Sequence, residues 1–265
     1  MHLLFFRTAP SPRAPAFALS FLLALIAATA AAAPEEIQVY MDEMNAPGEF
    51  GLDIHGNDVF SGRAYPQYPG EQPPAHVLRL TPEFSYGLTQ SLELGAYVLS
   101  TRDATGYSAV DGEKLRVKYI ATHAEDQVWF WGANLEIGRV AQRRDDNPWN
   151  GELKGILGYH GERWTVAVNS NIDFKVHGPA PSPAMLDLET KVSYKTDGGI
   201  GVGVESYNDL GQLSRLGGLG RQSESLFAVL DASIHGWEVN LGVGRGLTPA
   251  SDRWLLKTIV GVPFH

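Results

Sequence analysis

The chain has 265 residues, enough for one large all-β domain or two small ones, and it contains no cysteine. That excludes a disulfide framework, thiol catalysis and a cysteine-held metal. A formal charge of −9, from 30 acidic and 21 basic residues, argues against a nucleic-acid partner, whose phosphates demand Lys and Arg.

The first segment has the three parts of an export signal. Arg7 and Arg13 form a basic start with no acid nearby, AFALSFLLALIAA is an apolar core, and ATAAAA supplies small residues for a signal peptidase. The apolar core is shorter than the ~20 residues a spanning helix needs. Residues 1–30 are therefore expected to be cleaved, with the cut as late as residue 32. Their loss takes the formal charge from −9 to −11. No later stretch approaches ~18 continuous apolar residues. A membrane crossing would need a closed β-barrel, because an open sheet edge cannot sit in lipid.

Residues 31–48, with the acidic stretch EEIQVYMDEMNAPG, read as a leader at the periplasmic mouth: a tether, a gate or a partner contact. From residue 49 to 265 the pattern changes to strict alternation bounded by turn residues, the signature of half-buried strands. EFGLDIHGNDVF sets Phe50, Leu52 and Ile54 against Gly51, Asp53, His55 and Asn57. HVLRLTPEFSYGL sets Leu78, Leu80, Phe84, Tyr86 and Leu88 against Arg79, Thr81, Glu83 and Ser85. It is joined to SLELGAYVLS across the short turn Thr89-Gln90. KLRVKYI opposes Leu115, Val117 and Tyr119 to Lys114, Arg116 and Lys118. VWFWGANLEIGRV opposes Trp129, Trp131, Leu135 and Ile137 to Asn134 and Glu136. GELKGILGY, RWTVAVNSNIDF, LDLETKVSY, GIGVGVESY, ESLFAVLDA, WEVNLGVGRGL and RWLLKTIVGVPF complete twelve strand candidates. The expected fold is an all-β, antiparallel, up-and-down transmembrane barrel of about twelve strands, and an even number suits such a barrel.

The connections alternate between short turns and longer Gly/Pro/Asp-rich loops such as SGRAYPQYPGEQPPA, TRDATGYSAVDGE and NDLGQLSRLGGLGRQ. Short periplasmic turns and long external loops are expected of an outer-membrane barrel. Aromatic residues gather at the strand ends with the parity of the apolar face. Tyr86, Tyr119, Trp129, Tyr159, Trp164, Tyr194, Trp237 and Phe264 fall at the periplasmic side and Trp254 near the outer rim, as aromatic girdles would. The final strand ends on Phe264, with His265 after it, and resembles the signal read by the outer-membrane assembly machinery.

The opposite face lists lumen-lining candidates: Asp53, His55, Arg79, Glu83, Glu93, Lys114, Arg116, Lys118, Glu136 and Lys257. Bases and acids on neighbouring strands suit a paired ladder that stiffens a narrow barrel, because a lone desolvated ion is costly. The same charges suit a solute-selecting path. Asp53, His55 and Asn57 share one face, and a His beside a carboxylate can act as a base. No serine with matching geometry is identifiable, so no catalytic residue and no enzymatic role are assigned. His123, His160 and His235 fall in turns, and turns are polar anyway, so no metal or other cofactor is assigned. GVGRG and GIGVG precede no helix and fail the context test for a phosphate loop.

EFGLDIHGN, LRLTPEFSYGLTQSLELGAYV, LRVKYIA, FWGANLEIGRV and GVGRGLTPASDRWLLKTIVGVPF resemble an outer-membrane transporter family of proteobacteria, related to the barrels of a MetA pathway of phenol degradation. The resemblance covers most of the mature chain. It implies an outer-membrane location and a channel-like role for small solutes, apolar or aromatic ones included. It supplies no catalytic residues. A lipid-active barrel enzyme and a structural barrel with a periplasmic partner are the alternatives. The expected partners are outer-membrane lipid, the assembly machinery and a small solute.

Overall fold

A computed structural model describes residues 36–122, 127–178, 183–217, 220 and 222–263. The signal segment, His123 and Phe264 lie outside the described residues. Thirteen strands follow in chain order: β1 (Phe50–Ser61), β2 (Leu78–Gly87), β3 (Leu92–Arg102), β4 (Ser108–Ile120), β5 (Trp129–Val140), β6 (Trp149–His160), β7 (Trp164–His177), β8 (Met185–Lys195), β9 (Gly201–Gln212), β10 (Arg215–Leu216), β11 (Glu224–Ile234), β12 (Trp237–Gly246) and β13 (Trp254–Gly261).

Each long strand pairs antiparallel with its neighbour in sequence, and β13 returns to β1 with Asp53 opposite Gly261 and Val59 opposite Leu255. Twelve strands therefore close into a barrel. The two-residue β10 only folds back on the end of β9. Closure lets the strands pair all the way round the wall and leaves no open edge for lipid to meet.

Successive side chains of a strand point to opposite faces. In β2, Arg79, Thr81, Glu83 and Ser85 are buried, while Leu78, Leu80 and Phe84 stand exposed. In β4, Arg116 and Lys118 are buried and Leu115 and Val117 exposed. The parity read from the sequence places the charged list inside and the apolar list outside. An exposed Leu, Val and Ile surface is what hydrocarbon wets; in water it would be a large apolar patch.

Turn geometry refines the expectation. The β2–β3 connection is residues 88–91, where the NH groups of Leu88 and Thr89 both donate to the Leu92 carbonyl. His235 and Gly236 alone join β11 to β12, and both take positive φ (52° and 83°). That is the pattern of a type I′ hairpin, whose twist matches the flanking strands. The loop expected around residues 101–113 shrinks to 103–107, because β3 and β4 continue upward through a register shift at Leu99/Ser100.

Among the described residues, the aromatic side chains assigned to the rims point outward. Cross-strand ring pairs occupy the end with the short turns: Trp129 with Tyr159 at 5.0 Å, Trp164 with Tyr194 at 5.0 Å, and Tyr119 with Trp131 at 5.9 Å. Tyr86 packs on Phe50 at 4.7 Å. Trp237 opens β12 at the same end, and Trp254 opens β13 at the other, under the guanidinium of Arg245.

Residues 36–48 keep the expected periplasmic position only in part. Asp42, Met44 and the exposed Ala46, Pro47 and Gly48 lie at the mouth, but the segment before them runs inside the barrel, and Ile37, Val39 and Tyr40 are buried there. The physical reason is that parts of the inner wall are apolar. Ile37 packs with Val59, Phe227, Val229 and Leu255, while Val39 and Tyr40 pack with Ile120, Phe130, Ile156 and Ala167. Tyr207 touches both clusters. Burying this apolar surface favours the inserted leader over one left in water.

Candidate functional site

The lumen and the leader within it form the site. The leader enters where β2 ends: Gly48 NH donates to the Gly87 carbonyl at 2.8 Å, and Gly87 NH to the Glu49 carbonyl at 3.0 Å. A Cβ on Gly87 would lie 2.2 Å from the Ala46 carbonyl oxygen, so this close passage requires glycine. Asn45 comes next. Its backbone NH and its Nδ2 both donate to Glu93 Oε2 at 2.7 Å, and Nδ2 also reaches Ser85 Oγ at 2.8 Å. Lys118 Nζ donates to the Glu43 carbonyl at 2.6 Å. Asp42 Oδ1 meets His160 Nε2 at 2.8 Å.

Tyr40 is the central contact. Its NH donates to Asn169 Oδ1 at 2.6 Å, and Asn169 Nδ2 donates back to the Tyr40 carbonyl at 2.9 Å. The phenol oxygen lies 2.7 Å from Tyr97 Oη and donates to Glu136 Oε1 at 3.1 Å. Lys154 Nζ sits 4.4 Å from the ring centroid, with Lys118 and Arg116 farther round it. A cation over an aromatic face is attracted by the ring quadrupole, the more so when desolvated. Above Tyr40, Lys257 Nζ donates to the Ile37 carbonyl at 3.1 Å. Residues 36–48 form no strand ladder with the wall. Side chains of the wall supply most of the leader's polar contacts, and its backbone bonds to the barrel lie at the entry.

Arg116 is the hub of the charged wall. It donates from Nε to Glu83 Oε1 at 2.6 Å and from Nη2 to Glu93 Oε1 at 2.7 Å. Glu83 Oε2 meets His55 Nε2 at 3.0 Å. Four sequence-assigned residues, His55, Glu83, Glu93 and Arg116, thus form one network. Glu136 departs from the expected ladder: it accepts from Tyr40, Tyr97 and Asn134. Lys118 holds the leader backbone instead of an acid. Arg79 is buried beside Thr81, Thr101, Asp111 and Arg144 around a cavity of about 10 Å³, room for no more than one water. Asp53 and Lys114 face inward and are half-buried. Lys257 is fully buried and pairs with Glu205, which also accepts from Tyr207 Oη at 2.6 Å.

A second charged group lies across the lumen. Lys154 contacts Glu189 at 3.1 Å and Glu152 at 3.4 Å, and Asn171 donates to Glu189 at 2.8 Å. Lys191 contacts Asp231 at 2.8 Å and Glu205 at 3.3 Å. At the outer end, loop residues fold over the β1–β6 side. Arg144 donates to Asp111 at 2.8 Å and to Gln72 at 2.7 Å, and Gln72 NH donates to the Arg143 carbonyl at 2.9 Å. At the periplasmic mouth an open cavity of about 370 Å³ remains between Asp42 and Met44 of the leader and Gln90, Ile120, Ala121 and Thr122.

Sequence reading missed Tyr40, Asn45, Asn169 and Tyr207. The leader precedes any alternating pattern, so nothing local assigns its partners. One signal was legible: VWFW and SLFAVL carry apolar residues on both faces, which a purely polar lumen does not explain. Of the turn histidines, His160 holds Asp42, and His235 sits in the tight β11–β12 turn.

No family model matches the sequence, and no curated protein matches it. Solved structures do. The chain is similar to an outer membrane channel from Pseudomonas putida F1, with a TM-score of 0.58 and 14% identity over 86% of this chain and 100% of that one. It is also similar to the KdgM porin solved in complex with disordered oligogalacturonate, with a TM-score of 0.52 and 12% identity over 82% of this chain and 100% of that one. Both are outer-membrane barrels. At these identities the likeness is one of fold, and it agrees with the closed twelve-strand wall.

Proposed function

We propose that this protein is an outer-membrane channel for passive passage of small solutes, closed in the present state by residues 36–48 of its own chain. The observation that carries this reading is the seating of the leader. It fills the lumen through side-chain contacts and entry bonds without joining the sheet, so it can leave while the barrel's own hydrogen bonds persist. Its departure would uncover Arg116, Lys118, Lys154, Lys257 and their acids as a charge-lined path. The reading includes export through the signal in residues 1–30 and insertion into outer-membrane lipid through the C-terminal strand. It assigns the barrel no catalytic step.

The test is conductance in planar bilayers. The mature chain is compared with a variant lacking residues 36–47. The mature chain should pass small or intermittent currents, and the deletion should pass larger and steadier ones. Folded, inserted barrels that pass no current in either form would overturn the proposal.

A further inference from the structure

We infer that Glu36, His55 and Glu83 form a divalent-metal site that fastens the leader to the barrel wall. One ligand-capable atom from each residue falls within 4.8 Å of the others. His55 and Glu83 come from adjacent strands of the wall, β1 and β2, whereas Glu36 comes from the leader. The three meet only when the leader is inserted. An ion held by all three would tie the two parts together.

The donor set selects the ion class. One imidazole nitrogen with two carboxylate oxygens suits a borderline first-row ion such as Zn²⁺ better than Ca²⁺ or Mg²⁺, which take oxygen ligands. Ligands on one zinc lie about 2.0–2.2 Å from it, hence about 3–4 Å from each other. The His55 Nε2 and Glu83 Oε2 atoms already lie close to that spacing, and Glu36 is only half-buried.

Two further observations point to a bound ion. First, His55 is 1% exposed and aims Nε2 at Glu83 Oε2 at 3.0 Å, so a buried imidazole nitrogen and a buried carboxylate oxygen stand as two ligands of one ion would. Neutral imidazole is the commonest metal ligand. Second, Glu83 is oriented as a ligating carboxylate would be. Arg116 holds its Oε1 at 2.6 Å, leaving Oε2 toward His55. Outer partners of this kind fix the direction of metal-binding carboxylates.

This site goes beyond the channel reading, and its binding is measured without any current. The mature chain, folded in detergent, is dialysed against Zn²⁺, Mn²⁺ or Ca²⁺ alone, and bound metal per barrel is counted. Cleavage of the leader by a Glu-specific protease is timed with and without the ion. The mature chain should bind one Zn²⁺, favour it over Ca²⁺, and protect the leader when loaded. Glu36→Gln and His55→Gln should each weaken binding by at least about tenfold, whereas Asp173→Asn, on β7, should leave it unchanged. Folding is checked by heat-modifiable migration, and Glu36→Gln, outside the barrel wall, tests the site even if His55→Gln fails to fold. Zinc bound equally by the mature chain and Glu36→Gln, or no stoichiometric zinc, would overturn the assignment.

Discussion

Tyr40 and Asn169 exchange two hydrogen bonds, Tyr40 NH to Asn169 Oδ1 and Asn169 Nδ2 to the Tyr40 carbonyl. The carboxamide presents to the leader the donor and acceptor that a neighbouring strand would have presented. Asn169→Ala removes both and leaves two buried backbone groups unpaired. The expected cost to leader docking is about 1–3 kcal/mol, the scale of unsatisfied buried groups. Protease cleavage at the leader should accelerate while urea unfolding of the barrel changes little.

Gly87→Ala tests the entry point. The added Cβ meets the Ala46 carbonyl at 2.2 Å, and backbone cannot give way as a side-chain tip can. The variant should still form a heat-modifiable barrel, because Gly87 ends β2. Its leader should be cut at the rate of a displaced segment, and bilayer currents should rise toward those of the deletion.

Arg116→Met strands Glu83 and Glu93, both buried, without their shared cation. Breaking a buried ion pair by removing one partner is worth about 3–5 kcal/mol. Urea unfolding in lipid should show a loss of that order. An unchanged midpoint would mean that water reaches this part of the lumen and hydrates the acids.

Leu94→Arg and Ser85→Arg are directly opposed tests of the two faces. Leu94 is exposed on the outer wall opposite Tyr86 of the periplasmic girdle, where an arginine costs less than the roughly 2–4 kcal/mol of the bilayer midplane. Ser85 is buried and accepts from Asn45. An arginine there should displace the leader and raise leader proteolysis, leaving barrel unfolding closer to that of the parent chain. Equal destabilisation of the barrel by both would contradict the assigned faces.

By itself the sequence determined the barrel. Alternation has a period of two residues, so one register of each strand fixes which side chains meet lipid, and Leu80 against Arg79 or Val117 against Arg116 is decided locally. Strand ends were legible for the same reason, since turn residues such as His235-Gly236 act over a few positions. The tertiary structure alone decided what fills the lumen. Tyr40 lies 129 residues from Asn169, and Lys257 lies 220 from Ile37. The leader has no periodicity of its own to match against the wall. Its place follows from apolar patches and donors that converge only after twelve strands have closed around it.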